Sequence, residues 1–186
     1  MKKALTLVCM LASFSANAKN FYIDEKLSSL SFTTITFKNQ FVIETANIPS
    51  IEGSLKKNKF DLKIDFRKLE TGVQSRDERI NQLYLTKLFP SISVQGDFNL
   101  DTVSRIERAD IPATITLYGN SREMMLPVII QKGVGYFSVN STKPILIKGS
   151  DFGIPSANLN ALVATIGGIK IADTIPVNFN VVFVEG

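Results

Sequence analysis

The charged residues whose spacing best suits chemistry lie in one short run, Ser75-Arg76-Asp77-Glu78-Arg79. Guanidinium groups bind phosphates through paired hydrogen bonds, so Arg76 or Arg79 could receive an anionic head group. A search for carboxylates at metal-ligand spacing finds Asp77 and Glu78, and the other acids are scattered. Local structure also explains this run, because Ser75 and Glu78 have the spacing of a helix capping box and Asp77 favours the helix dipole. For Arg76, pairing with an acid at a strand end is the structural alternative.

The composition excludes several classes of reaction. The sequence has no histidine and no tryptophan, and its single cysteine is Cys9. The chain that remains after removal of its N-terminal segment therefore lacks Ser–His and Cys–His nucleophiles and thiolate or imidazole metal ligands. Carboxylate chemistry, a lysine base or an oxygen-ligand cation site stay possible. Because the sequence offers no evident machinery for them, we expect no catalytic residue, no metal and no cofactor.

The N-terminus has the pattern of a secretory signal peptide. Lys2 and Lys3 precede an apolar run that ends at Phe14, and Ala16-Asn17-Ala18 fits the small-x-small cleavage motif. A membrane anchor needs about 20 apolar residues, which is more than this run supplies. Bulky Val8 before Cys9 argues against a lipoprotein. We predict that residues 1–18 are removed, that residues 19–186 form one domain and that the protein works in the periplasm.

The predicted mature chain is nearly neutral. Cleavage removes two of the 21 basic side chains, which leaves 19 against 17 acidic ones and a net charge of +2. The cluster of Lys56, Lys57 and Lys59 flanks a turn and is typical of a solvated hairpin tip. Nucleic-acid binding requires a concentrated basic face, so we expect no nucleic-acid partner.

One amphipathic helix interrupts a chain that otherwise alternates like strands. Ile80, Leu83, Tyr84 and Leu88 recur at helical spacing, and Pro90 is expected to end the helix.

The rest of the chain alternates like strands, with two irregular places. A parity change in the strand after Leu30 predicts a bulge near Thr33-Thr34, and the segment Pro155–Gly168 breaks the alternation. The predicted strands are Phe21–Asp24, Leu30–Lys38, Ile51–Lys57, Phe60–Phe66, Ser91–Leu100, Ile111–Tyr118, Met124–Gln131, Tyr136–Val139, Ile145–Lys148 and Ile175–Phe183.

Nine or ten short strands with frequent turns predict an all-β barrel or sandwich. A barrel of eight strands has an interior that side chains fill or that encloses one small ligand. Alternating Phe, Ile and Leu residues fit both cases, so the residues leave a filled and a hollow barrel equally open.

Three patches resemble motifs of the YceI-like family of secreted barrels. Leu69–Pro90 is similar to its T-G-x-x-x-R-D-x-x-L…F-P segment, Ile115–Val128 to its L-T-x-x-G-x-T-x-P-V hairpin, and Ser150–Ile154 to its S-D-F-G-I stretch. Order and spacing match along nearly the whole mature chain. Arg79 and Tyr118 stand where family members commonly have histidines.

The resemblance implies an antiparallel, lipocalin-like barrel of about eight strands with one short capping helix. It also implies a hydrophobic tunnel that holds a polyisoprenoid or a similar long-chain amphiphilic lipid. The expected head-group contacts are Arg76 and Arg79. The expected tunnel lining is Phe32, Phe37, Leu62, Ile64, Phe66, Ile80, Leu83, Phe89, Ile92, Val94, Ile115, Leu117, Phe152 and Phe179.

Three functions are compatible with these observations. The first is a non-enzymatic periplasmic carrier of an isoprenoid or other long-chain lipid, with transient membrane contact through the apolar segment Pro155–Gly168. The second is a packed barrel that assists an envelope or membrane redox complex, and the third is an enzyme that acts on a lipid. The closing strand and the strand after Leu30 could also pair between two chains, so a dimer is possible.

Overall fold

The computed structural model describes residues 19–37, 39–155 and 170–186, together with positions 157, 160, 163 and 164. The predicted signal peptide and most of the apolar segment Pro155–Gly168 lie outside the described residues. The side chain of Leu83 does too.

The elements with described bounds are one antiparallel sheet, one α-helix and three short 3₁₀ turns. The helix, α1, spans Gln74–Leu83, and short 3₁₀ turns cover Phe66–Lys68, Leu100–Thr102 and Gly149–Phe152. The strands are β1 (Phe21–Ile23), β2 (Ser29–Phe37), β3 (Phe41–Ile48), β4 (Ile51–Lys56), β5 (Lys59–Asp65), β6 (Ser91–Asp97), β7 (Ile106–Leu117), β8 (Asn120–Lys132), β9 (Tyr136–Ser141), β10 (Ile145–Lys148), β11 (Lys170–Ile171) and β12 (Thr174–Glu185).

Eight of these strands close into a barrel. The order is β1-β4-β5-β6-β7-β8-β9-β12, and β12 pairs back onto β1 through Phe21↔Glu185 and Ile23↔Phe183. The N-terminal half of β12 pairs with β10 on one side and with β2 on the other. The prediction of an antiparallel barrel of about eight strands with one helix is therefore confirmed.

Alternation along the strands builds the apolar interior. In β7, Ile111, Ala113, Ile115 and Leu117 are buried while the intervening residues face outward. Because side chains of a strand alternate between faces, each two-residue apolar period supplies one inward row. Phe137 anchors the core, with its ring stacked on Phe183 at 4.5 Å between centroids and edge-on to Phe21 at 5.1 Å.

The hairpin of β2 and β3 differs from the prediction. The bulge near Thr33-Thr34 is wrong, since β2 pairs with β3 without a break from Leu30↔Ile48 to Phe37↔Phe41. Strand β3 was not predicted, because its apolar residues occupy both faces and hide the two-residue period. The apparent parity change arises because Ile35 and Phe37 lie on the outer, solvent-exposed face of β2.

The start and end of α1 also differ from the prediction. The N-cap is Val73, without a side-chain cap, so the expected capping box is wrong. Asp77 instead accepts a hydrogen bond from the Thr71 backbone N–H at 2.9 Å, which ties the helix to the preceding loop. The helix ends at Leu83 rather than near Pro90, and Leu85 adopts a left-handed φ of 48°.

Candidate functional site

The barrel encloses an apolar chamber, called the inner chamber here. Its volume is about 160 Å³, and every side chain that lines it is hydrophobic. A cavity of about 150 Å³ lined by Leu, Ile and Phe is known to stay dry and to accept benzene. The inner chamber therefore suits an apolar group and offers no partner to a polar one.

A second space, the mouth chamber, opens at one end of the barrel. It measures about 480 Å³ and lies between the outer parts of β2 and β3, helix α1 and the start of β12. Phe32 and Ile175 line both chambers, so the two are contiguous. From Ile175 to Phe183, β12 advances about 27 Å, which is about 20 Å along the axis of a barrel with tilted strands. The residues that line the two chambers therefore extend over about 20 Å of the barrel axis.

The mouth chamber carries the polar groups that the inner chamber lacks. The Arg76 guanidinium forms an ion pair with the Glu44 carboxylate at 2.8 Å, and both side chains are about one third exposed. Arg79 donates to the Ser75 carbonyl oxygen at 2.9 Å and also lines the chamber. Asp173, which also lines the chamber, accepts from the Ser150 hydroxyl at 2.8 Å. Two guanidinium groups thus face two carboxylates around an apolar entrance.

Tyr84 packs at the junction between helix and barrel. Its ring meets Phe66 edge-on at 5.0 Å, and Phe66 also lines the inner chamber. Burial, together with the nearby Asp173 carboxylate, raises the pKa of Tyr84 to about 12. Its hydroxyl is therefore neutral and can donate a hydrogen bond at any physiological pH.

The structure brings most of the predicted lining residues together. Ile80, Arg76 and Arg79 border the mouth chamber. The predicted residues that line the inner chamber are Phe32, Leu62, Ile64, Phe66, Ile92, Val94, Ile115, Leu117 and Phe179.

Three predicted residues lie outside both chambers. Phe37 is on the outer face of β2, where it contacts Phe41. Phe89 packs against Tyr118 at 4.7 Å between ring centroids, and Phe152 is buried under the β7–β8 turn, where Asn120 donates to its carbonyl oxygen. These three aromatic side chains pack against hairpins and do not form part of the chamber walls. Ligand contact by any predicted residue stays a prediction.

Sequence reasoning missed much of the mouth chamber. Thr34, Thr36, Val42 and Glu44 border it from the β2–β3 hairpin, and Asp173 from the turn before β12. The inward row of the hairpin is Val42, Glu44, Ala46 and Ile48, but the apolar Phe41 and Ile43 on the opposite face hide its two-residue period. No pattern in the sequence indicated Asp173, because only the fold places it at the mouth.

The described residues contain no group of three or more His, Cys, Asp or Glu side chains placed to hold a metal ion. No helix in the described part of the chain has the length and apolarity needed to cross a membrane.

Comparison with known proteins identifies the family. The model of the YceI-like domain family matches residues 14–183. This chain belongs to the YceI-like family. The resemblance seen in the motifs is therefore confirmed over nearly the whole domain. A search among curated protein sequences gave no match.

Two solved structures are similar to this fold. One is a polyisoprenoid-binding domain from Saccharophagus degradans implicated in plant cell wall breakdown, with a TM-score of 0.81 and 23% identity over 89% of this chain and 98% of that one. The other is BcnA from Burkholderia cenocepacia, with a TM-score of 0.61 and 12% identity over 86% of this chain and 98% of that one. At such identities the likeness shows a common fold.

Proposed function

We propose that this YceI-like chain is a non-enzymatic, periplasmic carrier of a long-chain amphiphile, with a polyisoprenoid as the leading ligand class. The observation that carries the proposal is the pair of contiguous chambers, one wholly apolar and one bordered by guanidinium groups. The polyisoprenoid-binding domain of Saccharophagus degradans, similar in fold, supports the choice of ligand class.

The orientation of the ligand follows from the cost of burying polar groups. A head group in the inner chamber would lose its hydrogen bonds to water and find no replacement among hydrophobic side chains. An apolar tail in the same place gains about 0.8 kcal/mol for each methylene removed from water. The tail therefore enters the barrel, and the polar end stays in the mouth chamber beside Arg76 and Arg79.

The charge balance of the mouth affects which head groups bind. Glu44 already neutralises Arg76, and Asp173 faces the same space. An anionic head must displace the Glu44 carboxylate from Arg76 or use Arg79, whereas a neutral head binds without breaking the ion pair. Selectivity by head group is thus modest and depends on two identifiable side chains.

The free-energy balance favours a carrier over a tight receptor. A lipid tail in a bilayer is already dry, so moving it into the barrel gains little apolar burial. Occupancy then follows the supply of lipid, and release into an acceptor membrane is equally easy. The N-terminal signal pattern, with Lys2, Lys3 and the apolar run to Phe14, supports the periplasm as the site of action.

Native mass spectrometry with solvent extraction tests this function. The full-length gene is expressed in its own host, and the mature protein is purified without detergent. We expect about one long-chain lipid for each chain, with a mass that identifies its head group. If the protein emerges free of lipid, and if added geranylgeraniol and geranylgeranyl phosphate also fail to bind, the proposal is wrong and a structural role in an envelope complex takes its place.

A further inference from the structure

The tip of the β2–β3 hairpin is an exposed apolar surface with no described partner. It consists of Ile35, Phe37, Phe41, Val42 and Ile43, called the apolar tip from here on. Phe41 is 74% exposed and Ile43 is 68% exposed. Cross-strand pairs Phe37↔Phe41 and Ile35↔Ile43 bring four of these side chains together on the outer face. Surfaces of this kind mark sites that bind a membrane or another protein.

The hairpin extends past the part of the barrel that is closed. On the edge away from β3, strand β2 pairs with β12 from Ser29 to Phe32 and, in the described part of the chain, then only with the short β11, at Thr36 and Phe37. Among the described residues, the backbone of β3 pairs with β2 along its length and, on its other edge, only with Glu70, through Asn47. The outer part of β3 is thus an apolar edge, which proteins normally cover or protect with charge.

We infer that the apolar tip docks the protein on a lipid bilayer, with the mouth chamber facing the membrane. This inference rests on the proposed function and names the surface through which the carrier exchanges lipid. Val42 belongs both to the tip and to the wall of the mouth chamber. A tail that leaves the chamber along Val42 therefore passes directly to the exposed row of Phe41 and Ile43.

The distribution of apolar and charged groups favours a bilayer over a protein partner. Phe41 and Ile43 point to the outer face, while Val42 points to the inner face beside its partner Thr36, so apolar side chains at the end of the hairpin reach both faces. A protein surface covers one side of a ribbon, whereas the interface of a bilayer surrounds it. Residues 35–43 include no acid and one base, Lys38, and the exposed Lys170 pairs beside Phe37. This charge suits a membrane with anionic lipids.

A fluorescent reporter tests the contact directly. The sequence has no tryptophan, so Phe41→Trp places a single reporter in the apolar tip. With vesicles of phosphatidylcholine and phosphatidylglycerol, we expect its emission to shift to shorter wavelength and to become protected from a soluble quencher. Ile106→Trp, at a position that is 60% exposed at the start of β7, is the matched control and should not change. An unchanged Phe41→Trp spectrum would overturn the inference.

Polar substitutions measure how much the tip contributes. The double variant Phe41→Ser with Ile43→Ser should bind vesicles at least about tenfold more weakly, because it removes two large side chains from the bilayer interface. Ile106→Ser with Val134→Ser removes two exposed apolar side chains elsewhere and should leave vesicle binding unchanged. Equal binding by both double variants would also overturn the inference.

Two further readouts separate this inference from the proposed function and from self-association. In solution without vesicles, the Phe41→Ser, Ile43→Ser variant should bind geranylgeraniol as the unaltered protein does. If the protein docks on vesicles but binds no amphiphile, the carrier function is wrong, whereas the docking surface is still supported. A shift in Phe41→Trp emission on concentrating the protein without vesicles would identify a second copy as the occupant, against the inference.

Discussion

At the scale of single residues, the mouth of the barrel has two arginines and two acids, of which Arg76 and Glu44 form an ion pair. Arg76 is held by Glu44 at 2.8 Å, and this pair links α1 to β3. The pair is partly exposed, so it contributes little to the free energy of folding. Its importance lies in the competition between Glu44 and an incoming anionic head for the same guanidinium group.

This competition predicts opposite effects from the two partners. Arg76→Gln should weaken the binding of geranylgeranyl phosphate about three- to tenfold, since it removes a charge-assisted hydrogen-bond donor. Glu44→Gln should strengthen that binding, because it removes the competing carboxylate. Geranylgeraniol has the same tail without the charge, so neither variant should change its dissociation constant much. Calorimetric titration of both ligands checks this, and equal effects on alcohol and phosphate would contradict it.

Tyr84 predicts a loss of stability at high pH. Its pKa is about 12 in the folded protein, above the ordinary tyrosine value near 10. Between these values the folded state keeps a proton that the unfolded state releases, so the free energy of unfolding falls as pH rises through that window. The loss reaches about 3 kcal/mol at most, since each unit of pKa difference corresponds to about 1.36 kcal/mol. Urea unfolding on both sides of the window should show it, and Tyr84→Phe should remove this part of the pH dependence; an identical slope in Tyr84→Phe would contradict it.

At the scale of elements, close backbone contact in β6 fixes the wall of the inner chamber. A Cβ atom on Gly96 would lie 2.5 Å from the Phe60 ring and 2.6 Å from the Pro112 carbonyl oxygen. Phe60 pairs with Gly96 across β5 and β6 and lines the inner chamber. The glycine allows the ring to lie flat against the sheet.

Gly96→Ala should therefore lower the free energy of unfolding by about 1–3 kcal/mol, the usual cost of overpacking. Gln95→Ala, next to it in β6 and exposed, is the matched control and should change stability by less than about 0.5 kcal/mol. Urea denaturation of both variants measures the difference. Equal stability of the two would show that the chamber wall tolerates a methyl group there.

The elements also show how far sequence reasoning reached. The barrel strands β5 to β7 have one buried and one exposed face, so their two-residue period was visible and their inward residues could be named. The β2–β3 hairpin has apolar residues on both faces, so its strand β3, its inward Glu44 and the missing bulge could not be deduced. The helix was found from its apolar stripe, but its cap was misassigned because the helix begins at Gln74, one residue before the expected cap Ser75.

At the scale of the whole molecule, the barrel is hollow at the centre and has polar groups at one end. The arginines, the helix and the hairpin tip all gather at the mouth, while the stacked rings of Phe137 and Phe183 lie in the far half of the inner chamber. Asp173 and Glu44, distant in sequence, meet there only through closure of the sheet. Such placements arise from topology and leave no local pattern in the sequence.

Filling the inner chamber should block the tail without unfolding the barrel. Val139→Phe puts a ring into the chamber, which Val139 lines, and should lower geranylgeraniol affinity at least about tenfold, since the lost space removes several methylene contacts. Val184→Phe makes the same change on a residue outside the chamber lining and should keep full affinity. Circular dichroism confirms folding of both variants. Undiminished binding by Val139→Phe would place the ligand elsewhere.

The most direct test of the central claim is the orientation of a bound amphiphile. Phe179→Trp puts the only tryptophan in the inner chamber, and Val42→Trp puts it in the mouth chamber. Two prenyl alcohols are titrated into each variant, one brominated at the tail end and one beside the hydroxyl, because bromine quenches tryptophan at short range. The account predicts that the tail bromine quenches Phe179→Trp and that the head bromine quenches Val42→Trp. The reverse pattern, or bound ligand that quenches neither variant, would contradict it.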